Sequence, residues 1–296
     1  MSGHHFPDEI LLDILLRLPV KAISRFRCVS KSMCSLLQSP NFIQMHLNRS
    51  IENDKFSLLI CINIDGESCV NSVASTSDSS LSLSDYKAVG MDYPFEYQNP
   101  LVEIISSCNG LVCLELNGSD VCIWNPSTTE FKKIQTLPDA FKESPESNPE
   151  SKLRSGKAYT YGFGYDSEIG DYKLVRFERW EGVMYFSSSS IYRLGTNTWK
   201  ELPAIHYDVT IGGRPGVHID GILYFIAVQT QNHGDGFRCC LLILSFNVCD
   251  ESVGEIDLPE GIVGEIGLYL SVFGGNLCLV CDIVGVRTDV WVMKDF

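Results

Sequence analysis

Ile123-Trp124-Asn125-Pro126-Ser127-Thr128-Thr129-Glu130-Phe131-Lys132-Lys133-Ile134 is the stretch on which the fold turns. A large aromatic residue is followed seven positions later by a second large residue and ten positions later by an aliphatic one, with turn formers between. The same spacing recurs twice. Ile191-Tyr192-Arg193 leads through Gly195-Thr196-Asn197 to Trp199 and Leu202, and Ser245-Phe246-Asn247 leads through Asp250-Glu251-Ser252 to Val253 and Ile256. This is a strand–turn–strand hairpin used three times.

A further strand signal precedes each of the three hairpin starts at Trp124, Phe246 and Trp291. Asn109-Gly110 opens Leu111 to Leu114, Asp220-Gly221 opens Ile222 to Ala227, and Gly274-Gly275 opens Leu277 to Val280. The copies lie 68, 54 and 45 positions apart, counting Trp124, Tyr192, Phe246 and Trp291. Units of that length with several strands each predict a kelch-like β-propeller over residues 51–296, with a β-sandwich as the alternative. The longest spacing contains residues 138–157, rich in Pro, Ser, Glu and Lys, which read as a flexible insertion. The partner of Trp291 would fall at position 298 and the sequence stops at Phe296, so the propeller is expected to be incomplete at the C-terminus.

Residues 1–50 follow a different rule. Pro7 suits a first helical position, and Asp8 and Glu9 complement a helix dipole. Ile10, Leu11, Ile14, Leu15 and Leu18 recur at helical spacing until Pro19 ends the run. Ser30 and Ser39-Pro40 read as caps of later helices. So small a unit cannot bury all its apolar side chains internally, so some of that surface must meet another domain or another protein.

Charge divides unevenly too. Of 23 Lys+Arg and 37 Asp+Glu, residues 1–50 carry six basic and three acidic side chains, net +3, which leaves −17 for the remainder. A body that acidic repels phosphate backbones, which argues against nucleic acid and anionic membranes as partners. No apolar run approaches the roughly 18 residues of a membrane span, and Met1 to Phe6 offers no secretory signal, so cytoplasm or nucleus is the expected compartment. Most of the twelve cysteines sit among apolar neighbours, as small hydrophobes do.

Phe6-Pro7-Asp8-Glu9-Ile10, Ile14-Leu15, Arg17-Leu18-Pro19-Val20-Lys21, Arg25-Phe26-Arg27-Cys28-Val29-Ser30-Lys31, Leu36 and Pro40-Asn41-Phe42 together resemble an F-box. The sequence departs from that pattern at Phe6, where the family has Leu, and at Met33, where it has Trp. Ser107-Cys108-Asn109-Gly110-Leu111-Val112, Trp124-Asn125-Pro126-Ser127-Thr128, Tyr161-Gly162-Phe163-Gly164-Tyr165-Asp166, Asp171-Tyr172-Lys173-Leu174-Val175, Asn197-Thr198-Trp199-Lys200 and Trp291-Val292-Met293 resemble the F-box-associated domain of plant F-box proteins. Within that family the sequence is similar to immune-regulating and S-locus F-box proteins.

The resemblance implies α+β organisation by domain, with an F-box over residues 1–50 and an all-β propeller after it. It implies the substrate-recognition subunit of an SCF-type E3 ubiquitin ligase, bound to a Skp-type adaptor and through it to cullin. Phe6, Pro7, Ile10, Ile14, Leu15, Leu18, Pro19, Ile23 and Phe26 would supply the adaptor-facing surface. Tyr93, Phe95, Tyr97, Trp180, Tyr207, Arg214 and Phe237 are candidate anchors for an unidentified target protein, because large aromatics and Arg dominate interface energetics.

Catalytic patterns are not found. Gly162-Phe163-Gly164 continues to Ser167 between strand-like flanks, unlike a dinucleotide loop. Cys278 and Cys281 lie three apart in an alternating strand, which directs their sulfurs to opposite faces. No cofactor, metal or enzymatic activity is expected. The rival readings are a propeller that binds a ligand or glycan, and a truncated decoy that occupies the adaptor without recruiting a target.

Overall fold

The computed structural model describes residues 7–53, 57–64, 67–74, 89–91, 101–117, 120–135, 157–180, 187–210, 213–233, 236–260, 262, 267–283 and 285–294. The expected insertion at 138–157 lies outside them except for Lys157, and so do Phe6, Tyr93, Phe95 and Tyr97. Four helices come first: α1 (Asp8–Arg17), α2 (Val20–Phe26), α3 (Lys31–Leu37) and α4 (Pro40–Glu52). The Ser30 and Ser39 hydroxyls accept the amides of Met33 and Phe42, satisfying helix-end donors that would otherwise be orphaned. Leu15, Ile23, Leu37 and Phe42 form the core of the helical unit, one from each helix, and Leu11, Leu12, Leu16, Leu18, Met33 and Leu36 pack around them. Met33 is therefore a packing residue of this small core. His46 Nε2 lies 2.9 Å from the Leu18 carbonyl and ties α4 to the end of α1.

From Ser57 on, the described residues are strands in five antiparallel sheets. The first holds β1 (Ser57–Ile64), β2 (Glu67–Ala74) and β3 (Val89–Gly90) in that order. The second is the meander β4 (Val102–Cys108), β5 (Leu111–Leu116), β6 (Asp120–Trp124) and β7 (Phe131–Ile134). The third is the meander β8 (Lys157–Asp166), β9 (Asp171–Trp180), β10 (Ser187–Arg193) and β11 (Thr198–Ile205). In the fourth, β12 (Tyr207–Asp208) and β13 (Val217–Ile219) both pair with β14 (Ile222–His233), which continues to β15 (Gly236–Asn247) and β16 (Val253–Asp257). The fifth is β17 (Gly267–Phe273), β18 (Asn276–Ile283) and β19 (Arg287–Val292).

The chain falls into two compact units, residues 1–104 with 109–134, and residues 105–108 with 135–296. In the first unit, Val70 packs with Val102, Val112, Leu114, Leu116, Cys122 and Trp124, joining the first sheet to the second. In the second unit, Val175, Phe177 and Ile191 of the third sheet meet Leu223, Phe225, Leu242, Leu244 and Phe246 of the fourth. Tyr224 and Ile243 of the fourth sheet meet Leu277 of the fifth. Within each unit, then, neighbouring sheets cover one another's apolar faces.

The repeated spacing has a direct cause. Trp124 lies opposite Phe131, Tyr192 opposite Trp199 and Phe246 opposite Val253, each pair being the two residues seven apart. The residue ten on then faces the residue three before the aromatic: Ile134 opposite Val121, Leu202 opposite Ser189, Ile256 opposite Ile243. The turns are equivalent as well. In each, the amide five after the aromatic donates to the carbonyl one after it, Thr129 to Asn125, Asn197 to Arg193 and Glu251 to Asn247, at 2.8–2.9 Å. Those three donors all have left-handed backbone, with φ of 62°, 56° and 64°. Asn tolerates that region, whereas a β-branched Thr is strained there. Trp291 departs from the pattern. Trp124, Tyr192 and Phe246 are at most 2% exposed, but Trp291, on the outer strand of its three-stranded sheet, is 43% exposed.

Two buried polar features join neighbouring strands. The Lys173 ammonium lies 2.8 Å from Asp166, 2.6 Å from the Val248 carbonyl and 3.7 Å from Glu251, which Lys200 reaches at 2.6 Å. Burial pushes the Asp166 carboxyl up, yet the Lys173 hydrogen bond and the Ile169 amide outweigh it and leave the group below its ordinary value. On β13, His218 Nε2 accepts the Gly221 amide at 3.2 Å, a bond that only the neutral imidazole makes. Burial depresses the His218 pKa, opposed by the charge of Asp220.

Two outcomes follow for stability. Thr129→Asn should relieve about 1 kcal/mol of backbone strain and raise the melting temperature by about 2–4 °C, while Asn197→Thr should lower it comparably. Unchanged melts in both variants would exclude strain at these turns. Because the folded His218 takes up a proton less readily than the unfolded one, its contribution is complete above about pH 6.5. It declines as pH falls toward the depressed folded value. The urea midpoint should fall between pH 7 and pH 5.5, and less so in His218→Gln; identical pH curves would rule the contribution out.

Candidate docking surfaces

The helical unit sorts its apolar residues by side. On α1, Ile10 and Ile14 occur one turn apart and are 49% and 47% exposed, whereas adjacent Leu15 is 1% exposed. Pro7, Pro19 and Phe26 are also exposed and Leu18 is half-buried. Leu15 and Ile23, expected on the adaptor-facing surface, are buried in the core of the helical unit. Val29, 66% exposed after the end of α2, joins the outward apolar set, although it belongs to the F-box-like stretch without being among the expected adaptor-facing residues. Helical periodicity shows that a face is apolar; it does not separate the half that packs inward from the half that remains outside.

On the β body, the candidate anchors behave differently from one another. Tyr207 is half-buried against the core between the third and fourth sheets, and its hydroxyl is hydrogen-bonded to the Glu255 carboxylate. Burial and that carboxylate together raise its pKa. It serves the fold before any partner. Trp180 ends β9 opposite Lys157, and Phe237 lies opposite Asn232 in β15; their side chains lie outside the described ones.

Arg214 is exposed on the loop between β12 and β13, and its guanidinium carbon sits 4.0 Å from the centroid of the Tyr269 ring on β17. The loop is held at several points. Thr160 Oγ1 donates to the Arg214 carbonyl at 2.6 Å, and the Gly216 amide donates to the Tyr161 carbonyl at 2.7 Å. A Cβ on Gly216 would lie 2.4 Å from the Phe225 ring, so only glycine permits this seating. At the other end, Arg179 bonds Thr210 Oγ1 at 3.1 Å and reaches Asp208 at 3.2 Å, while Asp208 also accepts the Thr210 amide. The strand that follows, β13, touches both β8 and β17. The loop therefore lies where the third, fourth and fifth sheets meet. Tyr269, its cation–π partner, lies 55 positions away from Arg214 and has no marker in the sequence.

Cys108, Cys113, Cys122, Cys278 and Cys281 are buried and act as packing residues, whereas Cys28, Cys239 and Cys240 are exposed. Burial pushes the Cys108 and Cys122 thiols up to about 12, and Cys113 is raised well above its ordinary value for the same reason. Among the described residues no three His, Cys, Asp or Glu groups are placed to hold a metal ion, and no helix is long and apolar enough to cross a membrane.

Family comparison agrees with both halves of the molecule. Residues 4–45 match the F-box domain, and residues 57–296 match the F-box associated beta propeller domain. Among related proteins, F-box protein CPR1 of Arabidopsis thaliana is 28% identical over 98% of this chain and 70% of its own length. The F-box/kelch-repeat protein At3g23880 of the same plant is 28% identical over 100% of this chain and 77% of its own length. An oligogalacturonate lyase structure from Vibrio parahaemolyticus aligns at 13% identity with a TM-score of 0.38, over 80% of this chain and 62% of that one, a likeness too low to carry an argument. With four short helices ahead of a strand-built body that the propeller model matches from its first strand onward, the chain belongs to the plant F-box proteins that carry an F-box-associated β-propeller domain.

Proposed function

We propose that the chain is the substrate-recognition subunit of an SCF-type E3 ubiquitin ligase, with its helical unit on a Skp-type adaptor and its β domain holding a target protein for ubiquitination. The observation that carries this reading is the apolar set Ile10, Ile14, Phe26 and Val29, which remains between 39% and 66% exposed while the helical unit keeps its own core. Exposed apolar side chains on so small a unit are stabilised by a partner, and the F-box match supports the adaptor as that partner. The chain performs no bond chemistry in this reading. It supplies proximity, converting attack by a charged conjugating enzyme on a target lysine into an effectively unimolecular event. The work belongs in the cytoplasm or nucleus.

The adjacent pair Ile14 and Leu15 separates docking from folding. Ile14→Asp should leave the helical circular dichroism and melt intact and weaken adaptor binding by at least about 100-fold, because a carboxylate buried without a partner costs several kcal/mol. Leu15→Asp should instead unfold the helical unit, since the charge would enter its core. Calorimetric titration with a purified Skp-type adaptor reads the first effect. Wild-type affinity in Ile10→Asp, Ile14→Asp and Phe26→Asp alike would overturn the docking surface.

A further inference from the structure

The arginines of the β body whose side chains are described follow one rule with one exception. Among the described side chains, Arg176, Arg179, Arg193 and Arg287 each lie within 3.8 Å of a carboxylate, those of Glu178, Asp208, Asp171 and Asp289. Arg214 has no carboxylate within 4 Å among the described residues, although it belongs to a region of net charge −17. It has Tyr269 instead, 4.0 Å beneath its guanidinium.

That substitution decides which part of the cation stays available. A tyrosine ring occupies the face of the guanidinium, and among the described residues no carboxylate meets its edge, a planar fork of N–H donors. A carboxylate would have consumed the fork. The backbone behind it is fixed by the Thr160 and Tyr161 hydrogen bonds and by the close seat on Phe225, so little freedom remains to be lost on binding. Fork-shaped donors match two-oxygen anions bidentately.

We infer that Arg214, braced by Tyr269, is a recognition point for an acidic segment of the target, read through a carboxylate or phosphoryl group. The acidic surroundings sharpen the selection, because negative charge is favoured where the guanidinium fork is and repelled elsewhere on the body. The inference rests on the receptor reading and adds the chemistry of what is received.

The test uses the full-length protein and three synthetic peptide libraries that differ only at a fixed central residue: glutamate, phosphoserine or glutamine. The glutamate library, the phosphoserine library or both should be retained about ten-fold more strongly than the glutamine library, and added salt should reduce the difference. Retention of one acidic library but not the other identifies the source of the anion. Arg214→Gln should abolish the difference, Arg214→Lys should restore only part of it because an ammonium lacks the fork, and Tyr269→Leu should weaken it. Equal retention of all three libraries by wild type overturns the inference, as does undiminished selectivity in an Arg214→Gln protein that melts like wild type. Adaptor binding is measured on the same preparations. Adaptor binding without acidic selectivity defeats this inference alone, and acidic selectivity without adaptor binding defeats the receptor reading alone.

Discussion

The edge-on contact of Phe225 with Phe177, ring centroids 5.1 Å apart at 83°, is the interaction around which the second compact unit is arranged. Phe246 approaches the same Phe177 ring at 6.2 Å, so three aromatics from two sheets interlock between them. The backbone has to yield space to this cluster. A Cβ on Gly162 would come within 2.7 Å of Phe225, closer than carbon atoms approach without displacement, and Gly216 meets the same demand on that ring at 2.4 Å. The loop that presents Arg214 is thus positioned by core packing, and its chemistry inherits the precision of the core.

Much of the fold was legible because its determinants are local. The eight residues from Trp124 to Phe131 close a hairpin turn, so the aromatic, the turn and the opposing side chain sit within one readable window. The caps at Ser30 and Ser39 are legible for the same reason. What the sequence left open depends on contacts made at long range. Ile14 and Leu15 look alike on a helical wheel, and only the arrival of Leu37 and Phe42 from later helices decides which is buried. Tyr207 reads as a surface aromatic until Glu255, 48 positions on, is found on its hydroxyl. Trp291 repeats the aromatic of the hairpin motif and is still 43% exposed, on the outer strand of its sheet.

Electrostatics and packing divide the labour of the β body. Its excess of carboxylates is not spread evenly over solvent. Asp166 and Glu251 converge on Lys173, which is 4% exposed, and Glu251 also accepts Lys200, so one turn of the fourth sheet is pinned to two strands of the third. Buried ion pairs of this kind are weak sources of net stability, and their value lies in register: replacing either partner alone leaves a charge that the site cannot hold. Such neutralised pairs also leave the few unpaired cations chemically conspicuous.

The outer strand of the fifth sheet carries a different kind of consequence. β19 is an edge strand, and Val290, Trp291 and Val292 on it are 58%, 43% and 39% exposed. Among the described residues no strand pairs with the outer edge of β19, and an unpaired edge beside three consecutive apolar side chains is a template on which a foreign strand grows. Arg287 and Asp289 interrupt that template with charge, although they are paired with each other at 3.0 Å and so partly cancel. These five residues bear on colloidal behaviour in concentrated solution beside the −14 net charge of the whole chain, and Val290→Lys is the economical way to keep the protein monodisperse.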